Sequence, residues 1–228
     1  MFDKHPMKKP IPTLLALAAL TFCGSALAQK AGSFSASIGA THIAPSVDSG
    51  NLSAPSLPNT KVDVNSNSQI TGAINYMATD NIAVHLPLGF GFKHEVRGDG
   101  AIKGVGKLVE TKALPITLIG QYRFMEAEAT FRPYLGAGLS YVRFYKETGT
   151  GTLTAITNPG GPATGAKFQS KLAPTLQIGG IYNINDRWYL DASYSKTFLK
   201  TRATLTTGQT LDITLNPSAY SLQVGYKF

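Results

Sequence analysis

Covalent cross-links are the first thing this chain does without. Its only cysteine, Cys23, lies inside "LLALAALTFCG" (Leu14–Gly24), an apolar run with a short basic start before it at Met7, Lys8 and Lys9. "ALA" (Ala26–Ala28) follows, with small residues at the positions a signal peptidase reads. That order is the pattern of a secretory signal peptide, so residues 1–28 are expected to be removed. Phe22, directly before Cys23, is too bulky for lipoprotein processing, which argues against a lipid anchor. The remaining domain, residues 29–228, is exported without any disulfide to hold it.

Charge is scarce as well. Asp, Glu, Lys and Arg make up 15% of the chain, against about 25% in a typical soluble protein, which is little for a surface facing water. Beyond residue 28 no stretch approaches the roughly 20 apolar residues of a membrane helix. His42, His85 and His94 stand in separate segments with no helical HExxH and no cysteine beside them, so neither a metal nor another cofactor is expected. No spacing commits a Ser and His pair to nucleophilic work, and the expectation is a non-enzyme with no catalytic residue.

What the chain has in abundance is alternation. Apolar residues recur at every second position in segments near 33–44, 68–79, 82–93, 110–124, 132–146, 169–183, 187–201 and 216–228. The third puts Ile82, Val84, Leu86, Leu88, Phe90 and Phe92 on one face; the fourth does the same with Leu114, Ile116, Leu118, Tyr122 and Phe124. Aromatic residues gather at segment ends and aliphatic ones in the middle, the girdle-and-band pattern of a lipid-facing barrel wall. A cation on that face at mid-membrane costs roughly 2–4 kcal/mol and about 0–1 near an interface. The first exceptions, Arg143 and Lys196, fall near one rim.

Connections alternate long and short. "TDN" (Thr79–Asn81), a turn near Glu126 and "INDR" (Ile184–Arg187) are brief, whereas Pro45–Asn67, "HEVRGDGAIKGVGKLV" and "TGTGTLTAITNPGGPATGA" read as long loops. Bacterial outer-membrane barrels show this asymmetry, which here places both termini in the periplasm and the long loops outside the cell. The closing "YSLQVGYKF" (Tyr220–Phe228) is then a stave that must pair with the first strand, because open sheet edges are not tolerated in lipid. Tyr226 and Phe228 at its end resemble the signal that the outer-membrane assembly machinery recognises.

"YMATDNIAV" (76–84), "LPITL" (114–118), "FRPYLGAG" (131–138), "IYNINDRWYLDAS" (181–193) and "SLQVGYKF" together resemble the outer membrane protein W family, which includes alkane-import porins found beside hydrocarbon-degradation pathways. The resemblance implies an all-β fold, an eight-stranded antiparallel transmembrane β-barrel, and passage of small hydrophobic solutes through a narrow apolar channel. A duct of apolar atoms keeps an oily solute out of water while it crosses the polar sugar layer.

A barrel of this size has an interior just wide enough to be filled by side chains or to hold one small ligand. Inward positions nominate Met77, Ile119, Tyr134, Gly136, Gly138 and Ile181 as channel lining, although such glycines serve close strand packing as readily as open space. A polar inward set, Gln121, Arg123, Gln177 and Asp191, is expected near the short turns, as an Arg123–Asp191 ion pair, as a wider plug, or as charges satisfied in a small polar interior. A plug would force a solute sideways. Pro87, Pro115 and Pro174 each lack an amide donor and would weaken a lateral seam, with ordinary bulges as the alternative.

"RGD" (Arg97–Asp99) reads as a loop turn rather than an adhesion motif. The basic surplus on the long-loop side, Lys93, Lys112, Lys146, Lys167, Lys171, Lys196, Lys200 and Arg202, suits lipopolysaccharide phosphates and not nucleic acid. Two functions remain open: passive uptake of small hydrophobic molecules, with lateral release into the bilayer, and a non-transporting surface protein acting as a stress component, adhesin, or phage or bacteriocin receptor. Fold does not choose between them.

Overall fold

The computed structural model describes residues 29–228, and the expected signal peptide lies outside them. Among the described residues the elements are β1 (Phe34–Ala44), β2 (Asp48–Ser49), β3 (Thr60–Val64), β4 (Asn67–Met77), β5 (Ile82–Leu88), β6 (Phe92–Gly100), β7 (Lys107–Arg123), β8 (Phe131–Gly149), α1 (Gly151–Thr157), β9 (Ala166–Phe168), β10 (Lys171–Asn183), β11 (Trp188–Thr197), β12 (Lys200–Leu205), β13 (Thr210–Thr214) and β14 (Ser218–Lys227). Eight of them close a ring in the order β1, β4, β5, β7, β8, β10, β11, β14 and back to β1. All neighbours are antiparallel.

Closure is the device that stabilises a sheet in lipid, since it leaves no unpaired edge. β14 and β1 pair from Ser35↔Lys227 through Ala44↔Ser218, so the last strand is a full stave. The alternating residues then divide as the pleat requires. Ile38, Ile70, Leu118, Leu139, Ile178 and Leu222 are exposed on the outer wall, each more than half open. Inward neighbours such as Ala73, Asn75, Thr117 and Gln223 are buried.

Aromatic pairs mark both rims of that aliphatic band. At the short-turn end Trp188 meets Tyr226 edge-on at 5.0 Å, and Tyr122 meets Phe124 likewise at 5.0 Å. At the other end Tyr194 lies 5.2 Å from Tyr220. The short turns are built from side-chain bonds: Asn185 Oδ1 accepts from the backbone of both Arg187 and Trp188, and Asn81 Nδ2 donates to the Arg123 carbonyl at 2.7 Å.

The long connections differ from the loops expected of them. β3, β6 and the first part of β7 continue the wall past the barrel, and β2, β13, β12 and β9 form a second sheet. "RGD" lies in β6, where Arg97 and Asp99 pair with Asp63 and Lys61 of β3, not in a turn. The Gly- and Thr-rich run contains α1, whose N-cap Thr150 accepts from the Leu153 amide at 3.3 Å. Two apolar clusters hold this crown together, one around Leu108, Leu153 and Leu205, the other around Leu199, Leu211 and Ile213. Their members come from short segments far apart in the chain, such as Leu108, Leu153 and Leu205, so no single stretch announces the cluster even where Leu211, Ile213 and Leu215 alternate.

One wall also departs from simple alternation. Even-numbered positions from Ile82 to Phe90 face outward, but Phe92 is buried, and Lys93, expected inward, is exposed. The irregular Gly89–Phe90–Gly91 step between β5 and β6 shifts the parity by one residue, and such a slip exchanges the faces.

Candidate functional site

At the short-turn end of the lumen lies a buried hydrogen-bonded layer, the floor, centred on Arg123, which is 1% exposed. Its Nε and Nη2 donate to Gln121 Oε1 at 3.2 and 2.9 Å, Nη1 to Gln29 Oε1 at 2.9 Å, and Nη2 to Asn75 Oδ1 at 3.1 Å. Arg132 Nη1 donates to the same Gln29 oxygen at 3.3 Å. Five donors in a rigid fork suit Arg123 to tie three amides, Gln29 ahead of β1, Asn75 on β4 and Gln121 on β7, into one layer. A buried guanidinium is tolerated only when its hydrogens are taken up in this way.

Beside this layer Tyr134 donates its hydroxyl to Asp191 Oδ1 at 2.8 Å, and Tyr189 donates to Ser35 Oγ at 3.1 Å. Tyr134, Ile181 and Tyr189 form a small apolar cluster. Gly179 and Gly225 are required there, because a Cβ on either would run into the Tyr134 or Tyr189 ring. The expected Arg123–Asp191 ion pair does not form: it is not among the ion pairs of the described residues, and Asp191 bonds Tyr134 instead. Arg123 reaches Gln and Asn oxygens instead.

Above the floor runs a belt of hydroxyls. Thr117, Ser140, Thr175 and Thr197 bond in series at 2.6–2.9 Å, and Thr41 bonds both Thr71 and Ser221. Short side chains leave space here. A cavity of about 160 Å³ opens over the belt, walled higher up by Phe92, Val96, Val142, Phe144, Leu199 and Leu215. A second, wholly apolar cavity of about 40 Å³ lies in the crown, and Val96, Phe168 and Ile213 line both. The two cavities are therefore neighbours that share these three side chains as a common wall.

The cavity has an incomplete side. β5 pairs with β7 only as far as His85↔Ile119, and β6 pairs with β7 only from Phe92↔Ala113 onward. No ladder pair joins residues 86–91 to residues 114–118 among the described residues. On the opposite flank β4 and β5 pair up to Gly72↔Leu88, beyond which side chains substitute for the ladder: Gln69 Nε2 donates to the Phe90 carbonyl and Asn67 Nδ2 to that of Lys93. Pro87 and Pro115 stand on the two sides of the interruption and both line the cavity. Phe90 is 82% exposed at its outer edge. Pro174 lies elsewhere, in register with Leu139, its carbonyl accepting from the Phe198 amide at 2.9 Å.

The residues nominated from the sequence divide by height. Of the six for the lining, Ile119 borders the cavity; Tyr134 and Ile181 lie in the cluster beneath it, Met77 is buried in the lower wall, and Gly136 and Gly138 are close-packing positions. Gln121, Arg123, Gln177 and Asp191 are all buried, with Gln177 and Asp191 facing the cavity. Missed were Gln29, Asn75, His85 and Arg132. Asn75 and His85 are inward positions of clean alternating strands and were legible as such. Gln29 precedes β1, where no periodicity points to its burial.

Apart from Lys30–Glu128 at 2.9 Å beside the short turns, the ion pairs among the described residues belong to the crown. Glu110 bonds Lys93 at 2.9 Å and Lys107 at 3.1 Å, and Glu95 bonds Arg97 at 2.8 Å. Hydrogen bonding to Lys93, then to Lys107, holds the Glu110 carboxyl below the usual carboxylate range, and Arg97 does the same for Glu95.

A closed ring of eight antiparallel strands with an oily exterior, aromatic rims and a hydrogen-bonded lumen defines a small bacterial outer-membrane β-barrel. Residues 30–228 match the OmpW family model, and the chain belongs to that family, whose barrels are not enzymes. It is 35% identical to outer membrane protein W of Vibrio cholerae serotype O1, over 97% of this chain and all of the relative. It is 28% identical to outer membrane protein AlkL of Ectopseudomonas oleovorans, over 78% of this chain and 74% of that one. The crystal structure of the outer membrane protein OprG from Pseudomonas aeruginosa superimposes with a TM-score of 0.79 at 26% identity, covering 89% of this chain and 98% of OprG.

Proposed function

We propose that this barrel admits small hydrophobic molecules through the crown and releases them sideways into the outer membrane. The observation that carries the reading is the pairing gap between residues 86–91 and 114–118, which lies beside an apolar cavity with the hydrogen-bonded layer around Arg123 beneath it. A solute that cannot pass Arg123 and its amides has a lateral way out beside Pro87 and Pro115, where no ladder hydrogen bonds must break. The resemblance to a family that includes alkane-import porins supports the same direction of thought.

In this reading the termini and short turns face the periplasm and the crown faces outward. Exposed Lys93, Lys171 and Lys200 then lie near the lipopolysaccharide phosphates, and Tyr226 and Phe228 are presented to the assembly machinery. Uptake of a labelled alkane by cells with and without the protein tests the proposal, with surface expression verified in parallel. Faster entry with the protein is the expected result. Equal entry at confirmed expression overturns it and leaves the folded crown, with its own apolar core, as the basis of a surface-interaction role.

A further inference from the structure

Two buried side chains face each other across the floor of the cavity with unused hydrogen-bonding capacity. His85 on β5 and Asp191 on β11 are diametrically placed in the ring, with three staves between them by either path. They are 6% and 5% exposed, and both line the cavity. Neither has its full set of partners.

The roles of these groups follow from what they touch. His85 Nδ1 lies 2.7 Å from Asn75 Oδ1, which also accepts from Arg123. An amide oxygen only accepts, so Nδ1 carries the proton, and in the neutral ring Nε2 is left as a lone-pair acceptor. Nε2 has no hydrogen-bond partner among the described residues, yet it is not one of the sealed, unsatisfied atoms, so it is open to the cavity. Asp191 repeats the pattern. Oδ1 takes the Tyr134 hydroxyl, while Oδ2 has no partner among the described residues and is likewise not sealed.

Resting on the uptake reading, we infer that the cavity floor is a head-group site, selecting small alcohols, an apolar chain ending in a hydroxyl, over plain hydrocarbons. Phe92, Val96, Val142 and Leu199 take the chain, and one of two acceptors on opposite walls, His85 Nε2 or Asp191 Oδ2, takes the single hydroxyl proton. A hydrocarbon would leave those acceptors desolvated and unpaired. A carboxylate would bring no proton to donate to either acceptor. Placed beside the pairing gap, the site would hold the head group while the chain reaches the opening.

The test uses the full barrel in lipid nanodiscs, titrated with 1-hexanol, hexane or hexanoate, with empty nanodiscs as the partition control. Nitrogen shifts of the His85 ring and methyl shifts of Ile119 and Val142 are recorded by NMR. Hexanol is expected to move Nε2 and the methyls saturably, and hexane the methyls alone. Asp191→Asn, nearly isosteric, is expected to weaken hexanol binding on the order of fivefold, the size of one ordinary hydrogen bond, and to leave hexane unchanged. Methyl shifts from hexane and hexanol with equal affinity and an unmoved Nε2 would overturn the head-group site while leaving uptake intact. Unmoved methyls with every solute, in a barrel whose spectrum is folded, would sink both.

Discussion

Gln121 Nε2 donates to Gln177 Oε1 at 2.8 Å across the face of β8, directly over Gly136. Both glutamines are in register with that glycine, one from β7 and one from β10. A Cβ at position 136 would lie 2.8 Å from Ile119 Cγ2 and 3.2 Å from Gln177 Cβ. The missing side chain is therefore what lets two neighbouring strands bond over a third.

Gly136→Val is expected to destabilise the barrel by about 1–3 kcal/mol through overpacking and loss of the glutamine bridge. Gly120→Val is the control, since its Cβ would find only the Ala137 carbonyl at 3.8 Å, an ordinary contact. Thermal or urea unfolding in micelles, followed by the heat-modified gel shift, checks the difference. Equal stability of the two variants would refute it.

Arg123→Met removes the donor that joins Gln29, Asn75 and Gln121. Several buried acceptors lose their partner at once, so a cost of roughly 3–5 kcal/mol is expected. Planar-bilayer recordings should also show raised small-ion conductance through the opened floor. Wild-type conductance in a folded variant would mean the seal lies elsewhere.

Pro87→Val and Pro115→Val restore an amide beside the pairing gap. Slower backbone exchange at residues 86–91 and an uptake rate reduced several-fold are expected, measured by hydrogen exchange and labelled-solute entry at matched expression. Pro174→Val should leave both unchanged, because its surroundings are already paired. Identical behaviour of all three would remove the gap from the mechanism.

The crown is expected to loosen in acid. Glu95 and Glu110 have folded pKa values depressed below the ordinary 4.5 by Arg97, Lys93 and Lys107. Their contribution is present above that value and is lost as pH falls through the lower folded values. Hydrogen exchange near residues 93–97 and 107–112 should quicken below about pH 4 while the barrel stays protected.

The only tryptophan reports the rim. Trp188 is half exposed and packs edge-on against Tyr226. Bromine placed high on the lipid chain should quench it more than bromine at the bilayer centre, as expected of an aromatic at the interface.

The polar layer was only partly readable from residue order. Gln121, Arg123, Gln177 and Asp191 stand out as polar residues on inward positions, and so do Asn75 and His85 once strand parity is applied. Partner choice was not readable, because the strands are staggered around the ring, and that stagger decides which side chains share a level. Arg123 consequently meets Asn75 and Gln29, whereas Asp191 meets Tyr134.

Residue order by itself determined the barrel, because alternation with period two, short turns and an aromatic-flanked oily face admit no other arrangement that satisfies every backbone group in lipid. Tertiary structure alone decided the buried Gln29, the crown's core and the unpaired side at residues 86–91. Each depends on contacts between segments far apart in the chain, and a single-strand pattern carries no information about its partner's register.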